Sequence, residues 1–149
     1  MKFPSITPRD AGVMRFLEKK LKKMGFKTKI LNFKEKNFQP VKNLYARLGS
    51  KGPNFCFAGH LDVVPPGDIK DWTVNPFRPS VKKGHLIGRG ANDMKGSVAA
   101  FVSAVSIFLN NNKNFITPAA LGVIDGNFIS SLANCNSFIF CIISLLKDR

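Results

Sequence analysis

A chain of 149 residues has room for one domain, or for a piece of a larger one, and its 44% apolar content is enough for a core. Cys56, Cys135 and Cys141 stand at no metal-ligand spacing, which excludes a disulfide-rich secreted scaffold and suits reduced thiols in the cytoplasm. The opening MKFPSITPRD has no apolar leader core, and the apolar run 138–146 falls far short of the roughly 20 residues needed to cross a bilayer, so no membrane role is expected. The formal charge of +14 arises before residue 115, where 21 Lys and Arg face 7 Asp and Glu. Nucleic-acid binding rests on that charge alone: the lysines are dispersed, and no aromatic-basic module accompanies them. An anionic small-molecule substrate and an AT-rich coding sequence are the other readings.

In chain order, Thr7-Pro8-Arg9-Asp10 predicts a helix start. Thr7 is the N-cap, Pro8 the first helical residue and Asp10 the partner in a capping box. Val13, Leu17, Leu21 and Met24 follow at helical spacing, and Gly25 is the stop. Residues 26–33 and 41–48 read as strands, and 54–58 as a short apolar strand leading into Gly59-His60-Leu61-Asp62. A hairpin is predicted around Lys83-Gly84. Ala91-Asn92-Asp93-Met94-Lys95-Gly96 then introduces a second helix, with Val98, Phe101, Val102, Val105, Phe108 and Leu109 on its buried side. Beyond about residue 115 the lysines thin out and neither period is clean. No internal repeat is visible. The order of elements predicts an α/β layered domain over 1–115, with 116–149 a divergent tail.

His60-x-Asp62 falls where a buried strand ends, the usual place for ligands in α/β sheets. Imidazole is a good zinc ligand, and a nearby carboxylate fixes its tautomer and raises its basicity. Thirty-three residues on, Asp93 follows a Gly-Arg-Gly turn. Its two oxygens suit a bridge between two cations, although an Asp before a helix is more often an N-cap. By spacing alone each is a weak signal. His85 lies outside both motifs and reads as a surface residue, Trp72 and Phe77 as packing residues. Arg89 is either an orienter of the loop before Asp93 or a surface cation.

The longer pattern is more specific. Gly59-His60-Leu61-Asp62-Val63-Val64-Pro65-Pro66-Gly67-Asp68, then Asp71-Trp72, Pro76-Phe77 and Gly88-Arg89-Gly90-Ala91-Asn92-Asp93-Met94-Lys95-Gly96, resembles the zinc aminoacylase, carboxypeptidase and desuccinylase clan. Within it, the resemblance is greatest to the succinyl-diaminopimelate desuccinylases, over about residues 3–115. It implies a partial zinc-peptidase-like α/β catalytic domain with a mixed central sheet flanked by helices. It also implies His60 and Asp93 as metal ligands, with Asp93 bridging two zincs and followed by a cis peptide, and Asp62 as the catalytic residue that orients His60. The implied reaction is hydrolysis of N-succinyl-LL-2,6-diaminopimelate, with zinc, or cobalt in its place, as cofactor. An aminoacylase or carboxypeptidase specificity stays open.

The same resemblance shows what is missing. Family members continue with a Glu-Glu pair, further ligands and an inserted dimerisation domain through which they form homodimers. Here the only glutamates are Glu18 and Glu35, both before His60. Where the pair belongs stands Val123-Ile124-Asp125-Gly126. The chain reads as truncated at both ends, and a shifted reading frame after about residue 115 accounts for the tail. A non-catalytic remnant is the alternative.

Overall fold

The computed structural model describes residues 1–34, 36–37, 39–50, 54–111 and 137–142. Helix α1 spans Val13–Lys23 and is followed by strands β1 (Lys27–Phe33), β2 (Val41–Leu48) and β3 (Asn54–Gly59). A short hairpin, β4 (Ser80–Lys82) and β5 (His85–Ile87), precedes α2 (Gly96–Asn111), and β6 covers Ser137–Ile142. β1, β2, β6 and β3 form one sheet in that order; β6 runs antiparallel to β2 and parallel to β3. The sheet is therefore mixed.

The helix start differs from the expected one. α1 begins at Val13 with Gly12 as its N-cap, in the left-handed region at φ 84°, and no side chain caps it. Ala11 is also at positive φ, so the chain turns sharply before the helix, and Thr7 lies in an earlier turn in which the Arg9 N–H donates to the Ile6 carbonyl at 2.9 Å. There Ile6 bridges Val63 in parallel, and the Thr7 N–H donates to the Val63 carbonyl at 3.2 Å. Asp10 pairs instead with Lys42 on β2 at 2.9 Å.

Beyond that turn the apolar spacing holds. Val13, Met14, Leu17 and Leu21 are buried and meet Leu44 and Ala46 of β2. From α2, Val98, Phe101 and Val105 are buried, with Val102, Phe108 and Leu109 packed around them. Phe101 stacks on Phe57 of β3, centroids 4.2 Å apart. Each large aliphatic side chain buried this way stabilises the fold by roughly 1.5–3 kcal/mol. The hairpin turns on Lys83 and Gly84, both at positive φ, the backbone that a two-residue turn requires.

β6 lies where no strand period was expected. Residues 137–142 read Ser-Phe-Ile-Phe-Cys-Ile, apolar at nearly every position, so alternation cannot reveal the strand.

Candidate metal centre

β3 ends at Gly59, which places His60 at the rim of the sheet. The His60 Nδ1 lies 2.9 Å from the Asp62 backbone carbonyl and 3.5 Å from Asp62 Oδ1. A carbonyl oxygen only accepts, so Nδ1 carries the proton and donates it there. On the other side of the ring, Nε2 lies 2.9 Å from Asp93 Oδ1. A singly protonated ring and a carboxylate present two acceptors here, so this approach needs a shared proton or a shared cation. The geometry brings together all three residues singled out in the sequence.

Asp62 is 2% exposed and accepts a hydrogen bond from the Thr7 hydroxyl. Thr7, expected as a helix cap, is thus a support for Asp62. The segment carrying Asp62 is pinned further by Ser5, whose hydroxyl donates to the Leu61 carbonyl at 2.6 Å and whose carbonyl accepts the Val63 N–H at 2.9 Å.

Asp93 sits in a kinked turn, Ala91–Lys95, leading into α2. It is not helical (φ −123°, ψ 101°), its peptide bond to Met94 is cis, and its side chain is 83% exposed. α2 itself starts three residues later, and Asp93 and His60 together line a cavity of about 820 Å³. Trp72 and Arg89 also line this cavity. His85 is exposed on β5, as expected for a surface residue, and does not line this cavity.

Lys95 is a further buried polar group, 5% exposed, which sequence reasoning did not single out although it stands within the Asn92-Asp93-Met94-Lys95-Gly96 motif. Its Nζ donates to the Phe3 carbonyl at 2.8 Å. Burial lowers its ammonium from 10.5 to about 8, and the Asp62 charge opposes that shift. Below pH 8 the ammonium is charged in both folded and unfolded chains, and its burial opposes folding in full. Between pH 8 and 10.5 the unfolded chain holds the extra proton, so raising the pH favours the fold. Urea unfolding across this window is expected to show a gain on the order of 1–2 kcal/mol attributable to Lys95, discounted because the ammonium keeps its carbonyl partner. Lys95→Met should flatten the profile by that amount; an unchanged slope in the variant would contradict this account.

The donors fit a divalent cation in kind: a neutral imidazole with its distal N–H fixed, and a carboxylate facing it. They fall short in number. Among the described residues no group of three His, Cys, Asp or Glu side chains converges, whereas a hydrolytic zinc takes three protein ligands. Also among the described residues, no helix is long and apolar enough to cross a membrane.

Residues 56–121 match the family described as Peptidase family M20/M25/M40. Over 113 residues the chain is 67% identical to a succinyl-diaminopimelate desuccinylase from Pelagibacter ubique (strain HTCC1062), a match covering 76% of this chain and 29% of that protein. Over 109 residues it is 56% identical to the protein of the same name from Rhodospirillum centenum (strain ATCC 51521 / SW), covering 73% and 28%. The chain thus spans under a third of the length of these relatives. Among solved structures, human carnosine dipeptidase 1 superposes with a TM-score of 0.69 at 25% identity, covering 95% of this chain and 29% of that one. The dipeptidase Dug1p from Saccharomyces cerevisiae gives 0.70 at 18% identity, covering 96% and 29%, a likeness of fold alone. Residues 56–121 thus carry the match to peptidase family M20/M25/M40, and the chain has the fold of part of a catalytic domain of that kind.

Proposed function

We propose that the chain supplies one side of the metal centre of a two-zinc amidohydrolase that cleaves N-succinyl-LL-2,6-diaminopimelate to succinate and LL-diaminopimelate in the cytoplasm. The observation that carries this reading is the 2.9 Å approach of His60 Nε2 to Asp93 Oδ1. It occurs in a chain 67% identical over 113 residues to a protein named for that reaction. His60 and Asp93 hold the cation, zinc or cobalt, and Asp62 orients His60. When bound, such a cation polarises the amide carbonyl and lowers the pKa of a water molecule. The excess of positive charge favours the approach of an anionic substrate.

These 149 residues do not complete the reaction by themselves. Glu18 is tied to Lys22 at 2.9 Å and Thr28 at 3.1 Å, on α1 and β1, and no glutamate follows Glu35. Loss of a general base alone typically lowers the rate by ~10²–10⁴, and the two-donor site removes more. The test is succinate release from N-succinyl-LL-2,6-diaminopimelate by the purified chain with added zinc or cobalt chloride, beside calorimetry of the metal alone. Saturable metal binding without turnover is the expected pair of results. Turnover that disappears in His60→Ala would show a complete site; a chain that binds neither metal would remove the reading altogether.

A further inference from the structure

The candidate site is built on two arms far apart in sequence. One leaves β3 through His60 and Asp62 and runs on through Pro65 and Pro66. The other leaves β5 through Gly88, Arg89 and Gly90 and ends at Asp93. The arms are joined a few residues from both donors. Arg89 Nη2 donates to the Pro65 carbonyl at 3.3 Å and to the Pro66 carbonyl at 3.2 Å. The Arg89 guanidinium also lies over the Trp72 ring, 5.1 Å from its centroid. Trp72 Nε1 in turn donates to the same Pro66 carbonyl at 2.9 Å.

The local chemistry explains why these partners meet. Two successive prolines offer carbonyls but no N–H groups, so this stretch can accept hydrogen bonds but not donate them. A planar guanidinium reaches two neighbouring carbonyls at once while its face lies on an indole, which a lysine cannot reproduce. Trp72 is delivered by the short turn Ile69–Asp71, where the Asp68 carboxylate accepts the Lys70 N–H at 3.0 Å. Arg89 is fixed at its own backbone, its N–H donating to the Pro76 carbonyl at 2.8 Å.

We propose that Arg89, seated on Trp72, is a positioning residue that clamps the Pro65-Pro66 arm to the Asp93 arm and so sets the approach of Asp93 to His60. The inference rests on reading His60 and Asp93 as cation donors, but the clamp itself is measurable without metal.

The experiment uses the full 149-residue chain and the variants Arg89→Met, Arg89→Lys and Trp72→Phe, the last keeping an aromatic face but losing the indole N–H. Metal-free hydrogen exchange is expected to quicken at least ~10-fold in Arg89→Met at Val63, Val64 and 90–93, and to stay unchanged in α1 and α2. Zinc chloride titration should show affinity weaker by roughly 10-fold in Arg89→Met and by less in Arg89→Lys and Trp72→Phe. Trp72 is the chain's single tryptophan, so its emission should shift on zinc addition to the parent chain and not to His60→Ala. Exchange unchanged in both arms of a folded Arg89→Met, or zinc affinity equal to that of a parent that does bind zinc, overturns the clamp. Should Arg89→Met fail to fold, Trp72→Phe decides by the same two readouts. A parent chain that binds no zinc but whose arms loosen in the variants would overturn the metal reading and leave the clamp standing.

Discussion

Gly96→Ala is expected to destabilise the chain by about 3 kcal/mol and to move Asp93 away from His60. Gly96 has ordinary helical backbone angles (φ −63°, ψ −49°), so conformational freedom is not the reason. The reason is space: a Cβ built there would overlap the Ala91 carbonyl oxygen, which belongs to backbone and cannot swing aside. Relief requires the turn Ala91–Lys95 to open or α2 to shift, and Asp93 lies within that turn. Gly90, on the other side of Asp93, is closed to side chains in two ways. It has φ 79°, and its Cβ would come 2.7 Å from Val63 Cγ1 on the opposite arm. Urea unfolding measures the cost, with Ser97→Ala, an exposed neighbour in α2, expected within ±0.5 kcal/mol as the control. A Gly96→Ala cost near that of the control would show that the turn relaxes freely and does not fix Asp93.

Asp62→Asn is expected to weaken zinc binding by ~10–100-fold, and His60→Ala to abolish saturable binding. Asn keeps the size of Asp62 and still accepts the Thr7 hydroxyl, so the fold should survive. What it removes is the negative charge 3.5 Å from His60 Nδ1, which makes Nε2 a better donor to a cation. The Asp62 carbonyl that holds Nδ1 at 2.9 Å is untouched, so the ring keeps its orientation. Asp62→Asn therefore reads the electrostatic part of the Asp62 contribution, with His60→Ala as the variant that removes the donor. Calorimetric titration with zinc chloride reads both, and an Asp62→Asn chain that binds as tightly as the parent would leave the carboxylate without a part in metal affinity.

Much of this was legible in the sequence, for reasons that differ from element to element. β2 matches its predicted span, which stops at the turn marked by Gly49. The β4–β5 hairpin followed from Lys83-Gly84. α1 was read correctly from Val13 onward but placed too early at its start. The hydroxyl of Thr7 suits a helix cap and a buried carboxylate equally well, and only the fold shows that Asp62 claims it. The approach of His60 to Asp93 followed from the resemblance carried by the two motifs; spacing alone left each residue with an ordinary structural alternative. Lys95 escaped notice because nothing local marks a lysine as buried: its partners are the Phe3 carbonyl and the charge of Asp62, both distant in sequence. The Arg89–Trp72 contact was hidden for the same reason, since it joins side chains that only the crossing of the two arms brings together.

The place of β6 in the sheet sets an order of events during synthesis. β1 and β2 pair with each other through neighbouring residues, Lys27 with Arg47 through Phe33 with Val41, and can zip as soon as both have emerged from the ribosome. β3, whose end carries His60, has no such early partner among the described residues: its ladder is with β6, Asn54 opposite Ser137 and Gly59 opposite Ile142. Until residues 137–142 are made, the strand that presents His60 is unpaired along that edge, an exposed template for other chains. Partly synthesised chains are thus exposed to misassociation along that edge, and the strand that carries His60 gains this partner late.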